Sequence, residues 1–185
     1  MLCLSVLASG AAPAQDYKVG DRLAATAANK PATFKEITWD DLMPKDWDPM
    51  QALKGLDLNK LQDSDPRAMD ALDKLKASWN AAPANPAITG KPIRIPGFMV
   101  PLEWGKQEVR EFLLVPYFGA CIHVPPPPSN QVIHVLPAQP VKSKTGMDAV
   151  WVSGSLEIAY KKSDLGDAGY RMKDVRVEPY KETRR

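Results

Sequence analysis

The apolar positions of this chain change period near Gly90. Ahead of that point, in SDPRAMDALDKLKASWN, Met69, Leu72, Leu75 and Trp79 recur at near-helical spacing. Asp65 or Ser64 offers an N-cap and Pro66 suits the first turn, so the spacing predicts a helix from about Pro66 to Trp79 that packs through those four residues. Beyond Gly90 apolar and polar residues alternate. KPIRIPGFMVPL sets Ile93, Ile95 and Met99 on one face, with Gly97 as a bulge. VREFLLV, QVIHV, VWVSGSLEI and YRMKDVRVEPY supply four further strands, making five in all. Five short strands, one with a mid-strand glycine, predict a small OB-like β-barrel; a sandwich normally needs about seven. Prolines and Gly146 between residues 137 and 149 argue against the helix that usually joins the third and fourth strands of that fold.

The fold class expected is therefore mainly β with a helical N-terminal part, in which residues 15–88 form an extension packed on a barrel of residues 89–185. Within the extension, residues 16–35 are alanine-rich and aperiodic, which predicts a mobile or loosely docked segment. In EITWDDLMPKDWDP, Thr38 can cap a short turn that Pro44 stops, and Trp39, Leu42, Met43 and Trp47 are too apolar to leave in water. This segment is expected to dock through its two tryptophans. AAPANPAITG reads as a linker.

Composition adds a compartment. The 18 prolines in 185 residues are roughly twice the average usage, which favours turns and short strands over long helices. MLCLSVLASGAAPAQ is an uncharged apolar run ending in Ala12-Pro13-Ala14, the pattern of a signal peptide spanning residues 1–14 and cleaved near Ala14. Only Met1 and Leu2 precede Cys3, too little for a lipid-attachment signal, so a soluble periplasmic protein with at most peripheral membrane contact is expected. Cys121 then remains as the single thiol, and no intramolecular disulfide can form. A net charge of +2 does not describe a polyanion binder, and export argues against nucleic acid as a partner. Charge is uneven: residues 36–78 hold 10 acids against 6 bases and residues 161–185 hold 8 bases against 5 acids, as solvated faces do.

Four stretches, ITWDDLMP, IPGFMVPLE, FLLVPYFGACIHVPPPPSNQ and VWVSGSLEI, resemble a group of exported bacterial proteins catalogued as domain-of-unknown-function family 3299. The resemblance runs from about Ile37 to Ile158, and GACIHVPPPPSNQ is its most specific part. It implies an exported protein, described in many members as a lipoprotein and encoded near transporter components, some of them linked to metals. It implies no catalytic residues.

Candidate chemistry concentrates in GACIHVPPPPSNQVIHV, where Cys121, His123 and His134 fall within 14 residues. On an extended segment Cys121 and His123 would share a face, and His134 could join them from the following strand. Thiolate with imidazole suits Zn²⁺ or Cu⁺. The prolines Pro125, Pro126, Pro127 and Pro128 would hold the loop rigid, with Asn130, Gln131, water or a partner as a fourth ligand. Three other readings stand beside this one. Cys121 can be a small buried hydrophobe and each histidine a satisfied core or surface residue. Cys121 and His123, oriented by Asn130 or Gln131, can form a thiol enzyme, although no oxyanion hole is visible and no second cysteine supports redox exchange. Finally, the proline loop with Tyr117, Phe118 and Trp104 can form the apolar rim of a protein-interaction or adaptor module. The function expected is that of a non-enzymatic accessory of an ABC-type envelope transport system, with transporter components as partners and metal binding as its sharpest form.

Overall fold

The computed structural model describes residues 17–23, 34–55, 65–105, 107–143 and 145–181; the signal-peptide segment and Cys3 lie outside them. Alternation becomes strand as expected, and in greater number. Among the described residues there are eight strands: β1 (Lys35–Glu36), β2 (Pro92–Gly105), β3 (Glu108–Val115), β4 (Ile133–Pro137), β5 (Val141–Lys142), β6 (Ala149–Ser155), β7 (Glu157–Lys161) and β8 (Ala168–Pro179). They make one mixed sheet. Antiparallel β2–β3, β3–β4, β6–β8 and β2–β6 pairings, with parallel β4–β8, bend it into a partial ring. β1 adds to the side of β2, β5 to the start of β3, and β7 to the start of β8.

Gly97 is not a bulge. It pairs in regular register with Val150, and its bare α-carbon serves close packing instead. A Cβ there would lie 2.8 Å from Leu114 Cγ, 2.8 Å from the Val115 carbonyl and 2.9 Å from the Trp39 indole. The bulge of β2 comes later, between Pro101 and Trp104. VWVSGSLEI is likewise two strands: Leu156 drops into the core, its carbonyl takes the Gly90 N–H at 2.8 Å, and the chain turns into β7.

The pleat sorts apolar residues onto two faces. Ile93, Ile95, Met99, Phe112, Leu114, Ile133, Val135, Val152, Tyr170 and Met172 fill the main core, where Ile37, Trp39 and Leu42 of the extension join them. On the opposite face Phe98, Val100, Leu113, Val115 and Val132 form a second cluster, covered by Tyr17, Leu23, Tyr117 and Phe118. Residues 17–23, part of the segment expected to be mobile or loosely docked, are therefore docked; residues 16 and 24–33 of that segment lie outside the described residues. Tyr17 stands edge-on to Phe98 at 5.0 Å, and Gly20 and Asp21 exchange backbone bonds with Phe118.

The helix forms as predicted, α1 (Pro66–Asn80), with the Asp65 side chain accepting the Arg67 N–H. Its buried stripe is rotated by one position. Ala71 is buried and Ala68, Leu75, Ser78 and Trp79 are half-buried, whereas Met69 and Leu72 are 60% and 49% exposed. The Trp79 indole N–H donates to the Pro49 carbonyl at 2.8 Å, which anchors this face, and tertiary fit outweighs the bulkier stripe. Among the described residues no helix is long and apolar enough to cross a membrane.

Candidate functional site

The segment after β3 is a tight turn rather than an extended strand. Gly119, at φ +85°, offers its carbonyl to the N–H groups of Ile122, His123 and Val124, and Cys121 itself takes φ +67°. Strand alternation does not apply here, so Cys121 and His123 do not share a face through the pleat that the sequence suggests. Cys121 joins the apolar cluster of Ala120, Val132 and Ala168, close enough to Gly166 that a Cβ there would sit 3.3 Å from Sγ. Burial pushes its thiol up to about 12. His123 is exposed.

His134 lies in a third setting, on β4 and 6% exposed. Its Nε2 is 2.7 Å from Glu111 Oε1, and the Lys161 ammonium donates to the same carboxylate oxygen. Burial lowers the His134 pKa, with Lys161 and Arg171 adding to the fall, while Glu111 opposes it. Glu111 is held below the ordinary carboxylate range, first by the Lys161 hydrogen bond and then by His134. The three candidate ligands thus have three surroundings: an apolar pocket, solvent and a Glu–Lys pair. Among the described residues no group of three or more His, Cys, Asp or Glu side chains is placed to hold a metal ion.

Asn130 and Gln131 work as fasteners. The Gln131 amide donates to the Trp39 carbonyl at 2.8 Å and the Asn130 amide to the Pro83 carbonyl at 2.9 Å, so the end of the proline loop clamps both ends of the extension onto the sheet. Trp39 reciprocates through its indole N–H to the Pro96 carbonyl at 2.7 Å, and the Tyr170 hydroxyl reaches the Leu42 carbonyl at 2.6 Å. Trp39 therefore docks as expected, while Trp47 stays half-buried.

Where the clamped extension meets the loop, a groove of about 230 Å³ remains. The extension contributes Met43, Pro49, Met50 and Trp79 to its lining and the chain around the loop Pro116, Tyr117, Pro127, Pro128 and Gln131, with Arg22 and Asp40 also lining it. Of the three aromatic residues expected at a rim, Tyr117 lines this groove, Phe118 packs on Phe98 at 5.5 Å, and Trp104 lies beside Gly146. The methionines and Trp79 were legible only as apolar residues needing cover. Their convergence on the proline loop depends on contacts distant in sequence.

The family model described as "Protein of unknown function (DUF3299)" matches residues 39–179. A solved crystal structure of a DUF3299 family protein from Pseudomonas aeruginosa PAO1 is similar to this chain at 35% identity and a TM-score of 0.62, covering 82% of this chain and 99% of that one. No curated protein of known function matches the chain.

Proposed function

Because the chain belongs to the DUF3299 family, whose description assigns no activity, we propose a function from the groove: an exported accessory protein that holds a segment of an envelope transporter component against its proline loop. The observation that carries this reading is the lining itself, in which Trp79, Tyr117, Met43 and Met50 converge in a space open to solvent. Aromatic and methionine side chains are the residues enriched at the centres of protein interfaces. Its volume is small beside the roughly 300–1,000 Å³ of a small-molecule site, which favours side chains of a partner over a cofactor. Export follows from the N-terminal pattern, and an OB-like barrel accounts for the strand order. The ring strands, counted along the chain, pair as first, second, third, fifth, fourth and first again, with third and fifth parallel.

The test is site-specific photocrosslinking in cells of the source bacterium. A photoreactive residue at Met50, in the groove, is compared with one at Ile158, exposed on β7. Adducts identified by mass spectrometry as a transporter component, formed from Met50 and not from Ile158, are the expected result. Absence of that adduct, or its equal formation from both positions, overturns the proposal.

A further inference from the structure

We infer that the groove takes a proline-rich segment in the polyproline II conformation, bearing a charge of each sign. The inference rests on the proposed interaction function and names the class of segment bound. Four of the lining residues, Pro49, Pro116, Pro127 and Pro128, have no backbone N–H. The N–H groups of Met43, Met50 and Gln131 are already used within their own turns, on Asp40 O, Asp48 Oδ1 and Pro128 O. A partner strand would find few donors and could not extend a sheet along this groove. A polyproline II segment needs no backbone pairing, because its own carbonyls stay hydrated and its conformation is largely preset.

The rings are held ready for such a ligand. The Trp79 indole N–H donates to the Pro49 carbonyl at 2.8 Å, and the Tyr117 hydroxyl reaches the Pro125 carbonyl at 3.4 Å. Their polar edges are thereby turned to the protein's own backbone, and flat apolar surface is left for pyrrolidine rings. Charge supplies the second requirement. Arg22 and Asp40 both line the groove, both are exposed, and among the described residues neither is in an ion pair; Arg22 lies only over the Tyr117 ring at 5.7 Å. An acidic residue in the segment would meet Arg22 and a basic one Asp40.

Isothermal titration calorimetry of the full chain against synthetic peptides tests this. The probes are a decaproline flanked by Glu and Lys, the same peptide with the flanks exchanged, and a Gly/Ser peptide of equal length and charge. One proline peptide should bind at least about tenfold more tightly than both the Gly/Ser peptide and its own flank-exchanged form, a difference of about 1.4 kcal/mol. Trp79→Ala should weaken binding at least about tenfold, and Tyr117→Phe should keep it, because a ring remains. Arg22→Glu, at an exposed position that does not threaten folding, should weaken binding and reduce its dependence on salt. Equal binding of the proline and Gly/Ser peptides, no binding at all, or indifference to Arg22→Glu and to a folded Trp79→Ala variant would overturn the inference. The two proposals fail separately. A transporter adduct at Met50 with no affinity for the proline peptides removes the ligand class alone, and tight peptide binding with no such adduct removes the accessory role alone.

Discussion

At Gly97 and Cys121 single atoms decide what the chain tolerates. Gly97 sits where the Trp39 indole, the Leu114 side chain and the Val115 carbonyl all approach within 2.9 Å of a would-be Cβ. Two of these are rigid, a ring and a backbone oxygen, so Gly97→Ala cannot be absorbed by a side-chain rotation. The variant should lose about 1–3 kcal/mol of stability, read from urea unfolding, and a neutral result would mean that Trp39 does not pack on β2 as described. Cys121 makes the opposite kind of prediction. With its thiol pushed up to about 12, roughly one molecule in ten thousand is thiolate at pH 8, against about a quarter for a free cysteine. In a Cys3→Ser chain, where Cys121 is the only thiol, iodoacetamide should react about a thousandfold more slowly than with a free thiol, and urea should restore the rate. Rapid alkylation of the folded protein would revive the reactive-thiol reading.

At the scale of elements, α1 and the β3–β4–β7 junction carry the tests. Leu72 is exposed on α1 and Ala71 buried, so Leu72→Lys should change stability by no more than about 0.5 kcal/mol, while Ala71→Leu, which overfills a buried position, should cost about 1–3 kcal/mol. The reverse order would restore the stripe that the spacing of apolar residues suggests. Across the strands, Glu111 on β3 binds His134 on β4 and Lys161 on β7. The folded His134 pKa lies below its ordinary value near 6.5, so between the two values the unfolded chain binds the extra proton and stability falls as pH falls. Glu111, held low in the fold, adds a loss in the same direction at lower pH, through the carboxylate range. Urea midpoints should therefore drop between pH 7.5 and pH 5.5, and His134→Gln should flatten that drop. A midpoint that rises on acidification would mean that the Glu111 pairing outweighs burial at His134.

Over the whole molecule, the extension and the sheet are one cooperative structure. Trp39 binds Pro96, Gln131 binds Trp39, Asn130 binds Pro83 and Tyr170 binds Leu42, so the bonds run in both directions between the two parts. In a chain with Trp104 and Trp151 of the sheet replaced by Phe, tryptophan fluorescence, then from Trp39, Trp47 and Trp79 of the extension, should report the same urea midpoint as far-ultraviolet circular dichroism, dominated by the sheet. Separate transitions would show the extension to be an independently detaching unit and would dissolve the groove, since its lining comes from both parts.

Period and composition alone determined the switch from helix to strand at Gly90, the helix with a cap at Asp65 or Ser64, the five strand-forming segments, one of which folds as β6 and β7, and the docking of Trp39, because each rests on neighbours a few residues apart. Family membership was also readable in the proline stretch. The strand order, the rotated stripe of α1, the packing role of Gly97 and the separate surroundings of Cys121, His123 and His134 were decided only by tertiary structure. Strand alternation gave Cys121 and His123 a common face, but Gly119 and the positive φ of Cys121 turn the chain there into a tight loop. The groove shows the same dependence more fully: Arg22, Met50, Trp79, Tyr117 and Pro127 come from distant parts of the chain, and no local pattern links them. What brings them together is the burial of Trp39 and Tyr170 and the fastening of the proline loop, long-range contacts whose energy does not appear in any window of sequence.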